Sequence, residues 1–103
     1  MRKLVVLLIC AAAAAPALAV DTAADLARSK NCMACHSIGN KVVGPAFKDV
    51  AKRYAGQPDA EEKLVQKVLK GGSGSWGVVP MPANTQVTEA EARMLVRWVL
   101  SLK

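Results

Sequence analysis

The segment Cys32-Met33-Ala34-Cys35-His36 constrains this 103-residue chain more than any other feature. Cys-x-x-Cys-His is the signature for covalent attachment of a c-type haem. Thiols three positions apart can both form thioether links along one edge of the porphyrin, and the next residue can place its imidazole on the iron. We therefore predict one haem c, bound through Cys32 and Cys35, with His36 as an axial ligand.

Three other uses of the same segment are weaker predictions. A structural zinc site needs about four nitrogen or sulfur ligands, and beyond the N-terminal region the chain offers only Cys32, Cys35 and His36. A thioredoxin-like dithiol is expected beside a βαβ pattern, which this sequence lacks. A plain disulfide between the two cysteines is the third alternative.

Met81, in Pro80-Met81-Pro82, is the predicted second iron ligand. Pairing a thioether with a histidine raises the reduction potential of haem iron, which suits a carrier, and the flanking prolines restrict the backbone. Met33 lies between the two cysteines, and Met94 lies in a helical stripe where we predict a core position. His36 is the only histidine, so this chain cannot supply a second histidine ligand. An open iron site is the other option, and it is possible only if Met81 does not bind.

Residues 1–19 have the pattern of a cleaved secretory signal peptide. Basic residues 2–3 precede an apolar run from Leu4 to Ala15, and Ala17-Leu18-Ala19 matches a small-residue cleavage site. We therefore predict that the leader is removed and that a single mature domain, residues 20–103, is exported.

Two other fates of this leader are less favoured by its sequence. An uncleaved membrane anchor would need a longer apolar run, and Pro16 interrupts this one. Lipid attachment at Cys10 is disfavoured because the bulky Ile9 precedes it. We expect no stable membrane insertion after cleavage.

Size and charge limit what the mature region can do. About 84 residues make one small domain with a thin core, which usually needs a covalent or metal staple. Without Arg2 and Lys3, 12 basic residues face 8 acidic ones, a net charge of about +4. This excess favours acidic partner surfaces. Nucleic acid is not predicted as a partner, because no basic run is interleaved with aromatic residues.

Helical periodicity dominates the mature region, so the predicted fold class is all-α with long loops. Three of the four predicted helix starts carry a capping pair. The long loop 71–86, which contains Met81, separates the third predicted helix from the fourth. Phe47 and Trp98 are predicted core residues. The first predicted helix is Thr22–Lys30, the second has Pro45 in its first turn and stops at Gly56, the third is Asp59–Lys70, and the fourth runs from Thr88 to the end. The capping pairs are Thr22 with Asp25, Asp59 with Glu62, and Thr88 with Glu91.

The string Gly72-Ser73-Gly74-Ser75-Trp76-Gly77 matches the dinucleotide-binding pattern by letters only. It follows a helix where that pattern follows a strand, and it does not open a helix. We interpret it as a flexible connector, in which Trp76 is predicted to contact the cofactor through its apolar face and its one donor.

With these residues identified, the chain resembles the bacterial class I c-type cytochromes of the cytochrome c-551, or c8, family. The resemblance covers the whole mature region. It is carried by residues 32–36, Val43-Gly44-Pro45-Ala46-Phe47-Lys48-Asp49-Val50-Ala51, Trp76-Gly77 leading into Pro80-Met81-Pro82-Ala83-Asn84, and Trp98-Val99-Leu100-Ser101.

The resemblance implies a bundle of about four or five helices wrapped around one covalently attached haem, with the terminal helices packed together and one haem edge exposed. It implies that the Pro45 carbonyl accepts a hydrogen bond from His36. It also implies that Asn84 donates to the Met81 sulfur and that Trp76 donates to a haem propionate. Lys67 stands where relatives often have an arginine near that propionate. Lysine lacks the planar guanidinium of arginine, so the resemblance does not extend to this contact.

By the same resemblance, the chain is a periplasmic monohaem electron carrier and not an enzyme, with roles in respiration or denitrification. The implied donor is a quinol-oxidising cytochrome bc-type complex, and the implied acceptor is cytochrome cd nitrite reductase or a terminal haem-copper oxidase. We expect a monomer. The alternatives are a small haem peroxidase or gas sensor with an open iron site, and a tethered subunit of a larger oxidase.

Overall fold

A computed structural model describes Lys3, Val5 and residues 19–103. The predicted signal peptide, apart from those few positions, and Cys10 lie outside the described residues. Within the described part of the chain, no helix has the length and apolar character needed to span a membrane.

The described residues form four α-helices and no β-strand, so the predicted all-α class is confirmed. In chain order they are α1 (Ala19–Ser29), α2 (Phe47–Tyr54), α3 (Ala60–Lys70) and α4 (Glu89–Ser101), with a short 3-10 turn at Cys32–Ala34. Two isolated antiparallel bridges, His36 with Lys41 and Gly72 with Met81, are the only sheet-like pairs in this part of the chain.

The C-terminal helix α4 organises the fold, because it contacts α1, α2 and α3. Apolar side chains at helical spacing form its buried stripe, as a helix that faces several neighbours requires. Phe47 of α2 is buried against it, with its ring 5.5 Å from Trp98 in an edge-to-face arrangement. The buried stripe consists of Ala92, Leu95, Val96, Trp98 and Val99.

The capping box predicted at the start of α4 is confirmed. The Thr88 hydroxyl accepts from the Glu91 backbone N–H at 3.1 Å, and the Glu91 carboxylate accepts from the Thr88 backbone N–H at 3.0 Å. The latter bond favours the charged carboxylate and lowers the pKa of Glu91 below its ordinary value of 4.5.

The other two predicted caps are wrong. Thr22 lies inside α1, because the residues just before it are already helical. Asp59 occupies the N-cap position of α3, but its backbone (φ −98°, ψ 4°) is not extended as an N-cap requires. Its carboxylate pairs with Lys63 at 3.0 Å instead of capping the helix.

Two further predictions for single positions differ from the structure. Helix α2 begins at Phe47, with Ala46 at its N-cap, so Pro45 precedes the helix and is not in its first turn. Met94 is 39% exposed and is not a core residue. At 100° per residue, Met94 lies roughly opposite Ala92 around α4, away from the buried stripe.

The core that the protein alone provides is thin. Val65 is the largest fully buried side chain among the described residues, and several other core positions are alanines. Such side chains cannot fill the space between four helices. The remaining space forms a cavity between the helices.

Candidate haem-binding site

A cavity of about 510 Å³ lies between the helices. Its size is within the range of about 300–1,000 Å³ typical of cofactor sites. All four helices, the loop after the cysteine motif and the loop that carries Met81 contribute to its walls. Every site residue predicted from the sequence lines it: Cys32, Cys35, His36, Pro45, Trp76, Met81 and Asn84.

The cysteine motif reaches the cavity through a tight turn after α1. Asn31 adopts the left-handed conformation (φ 65°), which asparagine tolerates better than most residues. The 3-10 turn then begins at Cys32, whose carbonyl accepts from the His36 N–H at 3.0 Å. This turn brings both half-buried thiols and the imidazole into one wall.

The surroundings of the Cys32 thiol do not favour a reactive dithiol. They are not joined by a disulfide. Burial raises the pKa of the Cys32 thiol above its ordinary value of 9.0, whereas a reactive dithiol needs a lowered pKa. Among the described residues, no three His, Cys, Asp or Glu side chains are grouped closely enough to hold a metal ion by themselves, as zinc would need.

The His36 ring is held on three sides. Its Nδ1 lies 2.8 Å from the Pro45 carbonyl oxygen, the contact that the resemblance implies. The tautomer that donates there leaves the Nε2 lone pair free for iron. The ring stacks on Phe47 at 4.8 Å, and a Cβ added at Gly44 would lie only 2.5 Å from Cε1. Gly44 is therefore needed for the close approach of its backbone to the ring.

Met81 is anchored through its backbone. Its N–H donates to the Gly72 carbonyl at 2.8 Å, and its carbonyl accepts from the Gly72 N–H at 2.9 Å. Gly71 makes this pairing possible, because it has φ 69° and a Cβ there would lie 2.7 Å from the Ala83 nitrogen. The bridge and the flanking prolines together fix the backbone that carries the thioether.

Asn84 is fixed against α3. Its backbone N–H and its side-chain Nδ2 both donate to the Val68 carbonyl, at 3.1 Å and 2.9 Å. Its Oδ1 accepts from Gln86 Nε2 at 3.1 Å. The hydrogen bond from Asn84 to the Met81 sulfur stays a prediction.

Trp76 lines the cavity and is also 37% exposed. The guanidinium carbon of Arg53 lies 3.4 Å from the centre of the indole ring, and an Arg53 N–H donates to the Ser75 carbonyl. This cation–π contact fastens the tip of the glycine-rich loop to α2. The propionate contact of Trp76 stays a prediction. Lys67 also lines the cavity.

Sequence reasoning missed several residues of the site. Arg53 and Gln86 act through long-range contacts, for which the sequence gives no signal. Gly44 was detectable in principle, because a glycine directly before Pro45 in the loop after the motif indicates a close backbone approach. The exposed apolar side chains of Val42, Val43, Val78 and Val79 were also not identified.

These residues fit a covalently bound haem. Both thiols, an imidazole with a free nitrogen and a fixed thioether segment share one largely apolar cavity, and among the described side chains no buried polar atom lacks a partner. Thioether attachment needs the thiols, and the iron needs the imidazole. In this chain, Cys32 and Cys35 carry the haem c.

Comparison with known proteins identifies relatives of this chain. Residues 20–103 match the family model described as Cytochrome c. The chain is 58% identical to cytochrome c-552 of Hydrogenobacter thermophilus, covering 77% of this chain and 80% of that protein. It is 51% identical to cytochrome c-551 of Pseudomonas aeruginosa, covering 76% and 74%.

A solved structure gives the same result for the fold. The crystal structure of wild-type Nitrosomonas europaea cytochrome c552 superposes with a TM-score of 0.76 at 51% identity, covering 78% of this chain and 99% of that one. The resemblance to small electron-carrying cytochromes of the c-551 and c-552 kind is thereby confirmed. This chain belongs to the cytochrome c family.

Proposed function

We propose that the chain is a periplasmic monohaem electron carrier, with His36 and Met81 as the two axial ligands of its haem iron. One observation carries the proposal: His36, engaged at Nδ1 by Pro45, and Met81, bridged to Gly72, line the same cavity. Haem iron supplies one-electron exchange between the ferric and ferrous states. The protein's own residues set its ligands and its access to solvent.

The proposed ligand set argues for a carrier and against an enzyme. The Pro45 carbonyl holds the imidazole in one orientation and increases its basicity. Met81 would supply a second ligand to the iron, and a haem held by both side chains would leave no position for peroxide or a gas. Filled coordination with fixed ligands also means little rearrangement when the oxidation state changes.

An apolar rim of exposed valines, two of which line the cavity, supports transient docking. We define it as Val42, Val43, Val78 and Val79, all exposed, with Val78 at 93%. Val43 and Val79 also line the cavity, so the rim adjoins the cofactor site. Exposed apolar patches of this kind mark interaction sites. We propose that redox partners approach the haem edge here.

The distribution of charge supports acidic partner surfaces. On the face formed by α3 and α4, Arg93 pairs with Glu61, Glu62 and Glu89, and Arg97 pairs with Glu61, which neutralises that face. Among residues 41–70, every lysine except Lys63 lacks an acidic partner, and two of these lysines, Lys41 and Lys67, line the cavity. These unpaired lysines are Lys41, Lys48, Lys52, Lys67 and Lys70.

The remaining parts of the proposal follow from the leader and the resemblance. The predicted signal peptide, residues 1–19, supports a periplasmic location. The resemblance supports a cytochrome bc-type donor and a nitrite reductase or terminal oxidase as acceptor.

The test is to express the full chain in a host with haem attachment and to analyse the periplasmic protein. We expect a mass equal to residues 20–103 plus one haem. The ferrous protein should not bind CO, and the ferric protein should not turn over peroxide. Rapid CO binding by the wild-type protein would favour the open-site alternative.

A further inference from the structure

Gln86 joins three segments that meet at the haem site. Its Nε2 donates to Asn84 Oδ1 at 3.1 Å and to the Lys30 carbonyl at 3.0 Å. In return, the Lys30 ammonium donates to the Gln86 carbonyl at 3.1 Å and lies 3.5 Å from the Glu91 carboxylate. A side chain on the Met81 loop is thus fixed to the end of α1, two residues before Cys32, and close to the capping box of α4.

These contacts determine the orientation of the Asn84 amide. The Val68 carbonyl holds its nitrogen and Gln86 holds its oxygen, so the amide is fixed at both ends. One Nδ2 hydrogen is used by Val68. For the other hydrogen, the Pro82 carbonyl lies 3.5 Å from Nδ2, which is too long for an ordinary hydrogen bond. One Nδ2 hydrogen therefore lacks a close acceptor, on a side chain that lines the same cavity as Met81.

We propose that Gln86 is a positioning residue that aims the free Asn84 N–H at the Met81 thioether; this inference rests on the proposed ligation of iron by Met81. A donor directed at the sulfur withdraws electron density from it and favours the reduced iron. It also holds the side chain against displacement by other ligands. Gln86 touches neither the sulfur nor the cofactor, so its effect must pass through Asn84.

The test uses holoproteins with Gln86→Ala and Gln86→Glu. Alanine removes both donated hydrogen bonds, and the carboxylate places an acceptor against two acceptors, Asn84 Oδ1 and the Lys30 carbonyl. We expect ferric azide affinity to rise by about threefold to tenfold, the range that one or two ordinary hydrogen bonds represent. The reduction potential should fall, and the effect of Gln86→Glu should be the larger.

A double-mutant cycle separates positioning from general loosening. Because Gln86 acts through Asn84, Gln86→Ala should change azide affinity and potential in the wild-type background but not in an Asn84→Ala background. Gln66→Ala is the matched control, since Gln66 donates to Glu62 on the outside of α3. It should leave both quantities unchanged.

Two results would overturn the inference. One is an unchanged azide affinity and potential in both Gln86 variants, and the other is a full Gln86 effect in the Asn84→Ala background. Failure of the proposed function looks different, because the wild-type holoprotein would then bind CO and lack sulfur ligation before any variant is made.

Discussion

At the scale of single residues, the site depends on close backbone approaches as much as on the ligands. Gly44 touches the His36 ring, and Gly71 lies against the backbone of residues 81–83. Neither glycine carries any chemistry. Each allows a loop to come near enough to fix one proposed ligand.

Gly44→Ala should therefore disturb the His36 side of the site. A Cβ at 2.5 Å from Cε1 is closer than real contacts allow, so the ring or the loop must move. We expect the holoprotein to lose about 1–3 kcal/mol in its free energy of unfolding, as overpacked positions do. Denaturant unfolding measures this loss.

Gly39→Ala is the matched control, because nothing lies within 4 Å of a Cβ at Gly39. It should change the free energy of unfolding by less than about 0.5 kcal/mol. Equal stabilities for the two variants would show that Gly44 does not constrain the imidazole.

Local spacing and context predicted five of the proposed site residues, Cys32, Cys35, His36, Trp76 and Met81, whereas Pro45 and Asn84 came from the family resemblance. Cys32, Cys35 and His36 form one turn, and Met81 stands between two prolines. Arg53 and Gln86 were not predictable. Their partners lie 22 and 56 residues away, and only the packed fold brings those segments together.

At the scale of helices and loops, one cap formed as predicted and two did not. Thr88 has an extended backbone (ψ 162°), which lets its hydroxyl reach the Glu91 N–H. Asp59 has ψ 4°, and its carboxylate is within reach of Lys63. A spacing of three residues predicts which residues can cap a helix, but the backbone conformation entering the helix decides whether they do.

The α4 capping box predicts a specific pH dependence. Because the folded-state pKa of Glu91 is lowered, its contribution to stability is complete above its ordinary value of 4.5 and is lost as the pH falls through the folded-state pKa. Glu91→Gln keeps an acceptor for the Thr88 N–H but removes the titration. The variant should be less stable than wild type at neutral pH, and the difference should shrink on acidification.

Denaturant unfolding between about pH 6 and about pH 3 checks this prediction, because the ordinary glutamate pKa lies inside that interval. A stability difference between wild type and Glu91→Gln that stays constant, or grows, as the pH falls would contradict it. Thr88→Ala serves as the comparison variant. It should cost about 1 kcal/mol at neutral pH through loss of the cap itself.

At the scale of the whole molecule, the cavity is as important as the core. Residues from all four helices face it, including Val50, Leu64 and Leu95. The order of helices and the long loop were predictable from hydrophobic periodicity, since each amphipathic stripe must be buried. The cavity between the helices was not predictable from the sequence, because its shape depends on how the helices pack.

The chain without haem should therefore lack most of its native helix. A Cys32→Ala, Cys35→Ala chain produced without haem loses the group that fills the cavity, and the thin core anchored by Val65 cannot compensate. Far-ultraviolet circular dichroism of this chain and of the holoprotein gives the comparison. Equal helical signals would show that the protein core alone is sufficient.

The unpaired lysines predict salt-dependent docking. At 0.1 M salt the Debye length is about 10 Å, so added salt should slow encounter with an acidic partner while leaving the apolar rim effective. Replacing Lys41, Lys67 and Lys70 with glutamine should lower the bimolecular electron-transfer rate and flatten its salt dependence. The reduction potential should change little.

Lys63→Gln is the control for these lysine variants, because Lys63 already pairs with Asp59. It should affect the rate less than any of the three unpaired lysines. A wild-type rate that is indifferent to ionic strength, or that rises with it, would show that docking is apolar and that the lysines are only solvated.

The central claim is that Met81 completes the coordination of an iron held by His36, and the absorption spectrum of the ferric holoprotein tests it most directly. We predict a sulfur-to-iron charge-transfer band in the wild-type protein. In Met81→Ala this band should be lost, CO and azide should bind, and the reduction potential should fall, because the thioether favours ferrous iron. A wild-type protein without the band, or a Met81→Ala protein that keeps it and binds CO no faster than wild type, would contradict the account.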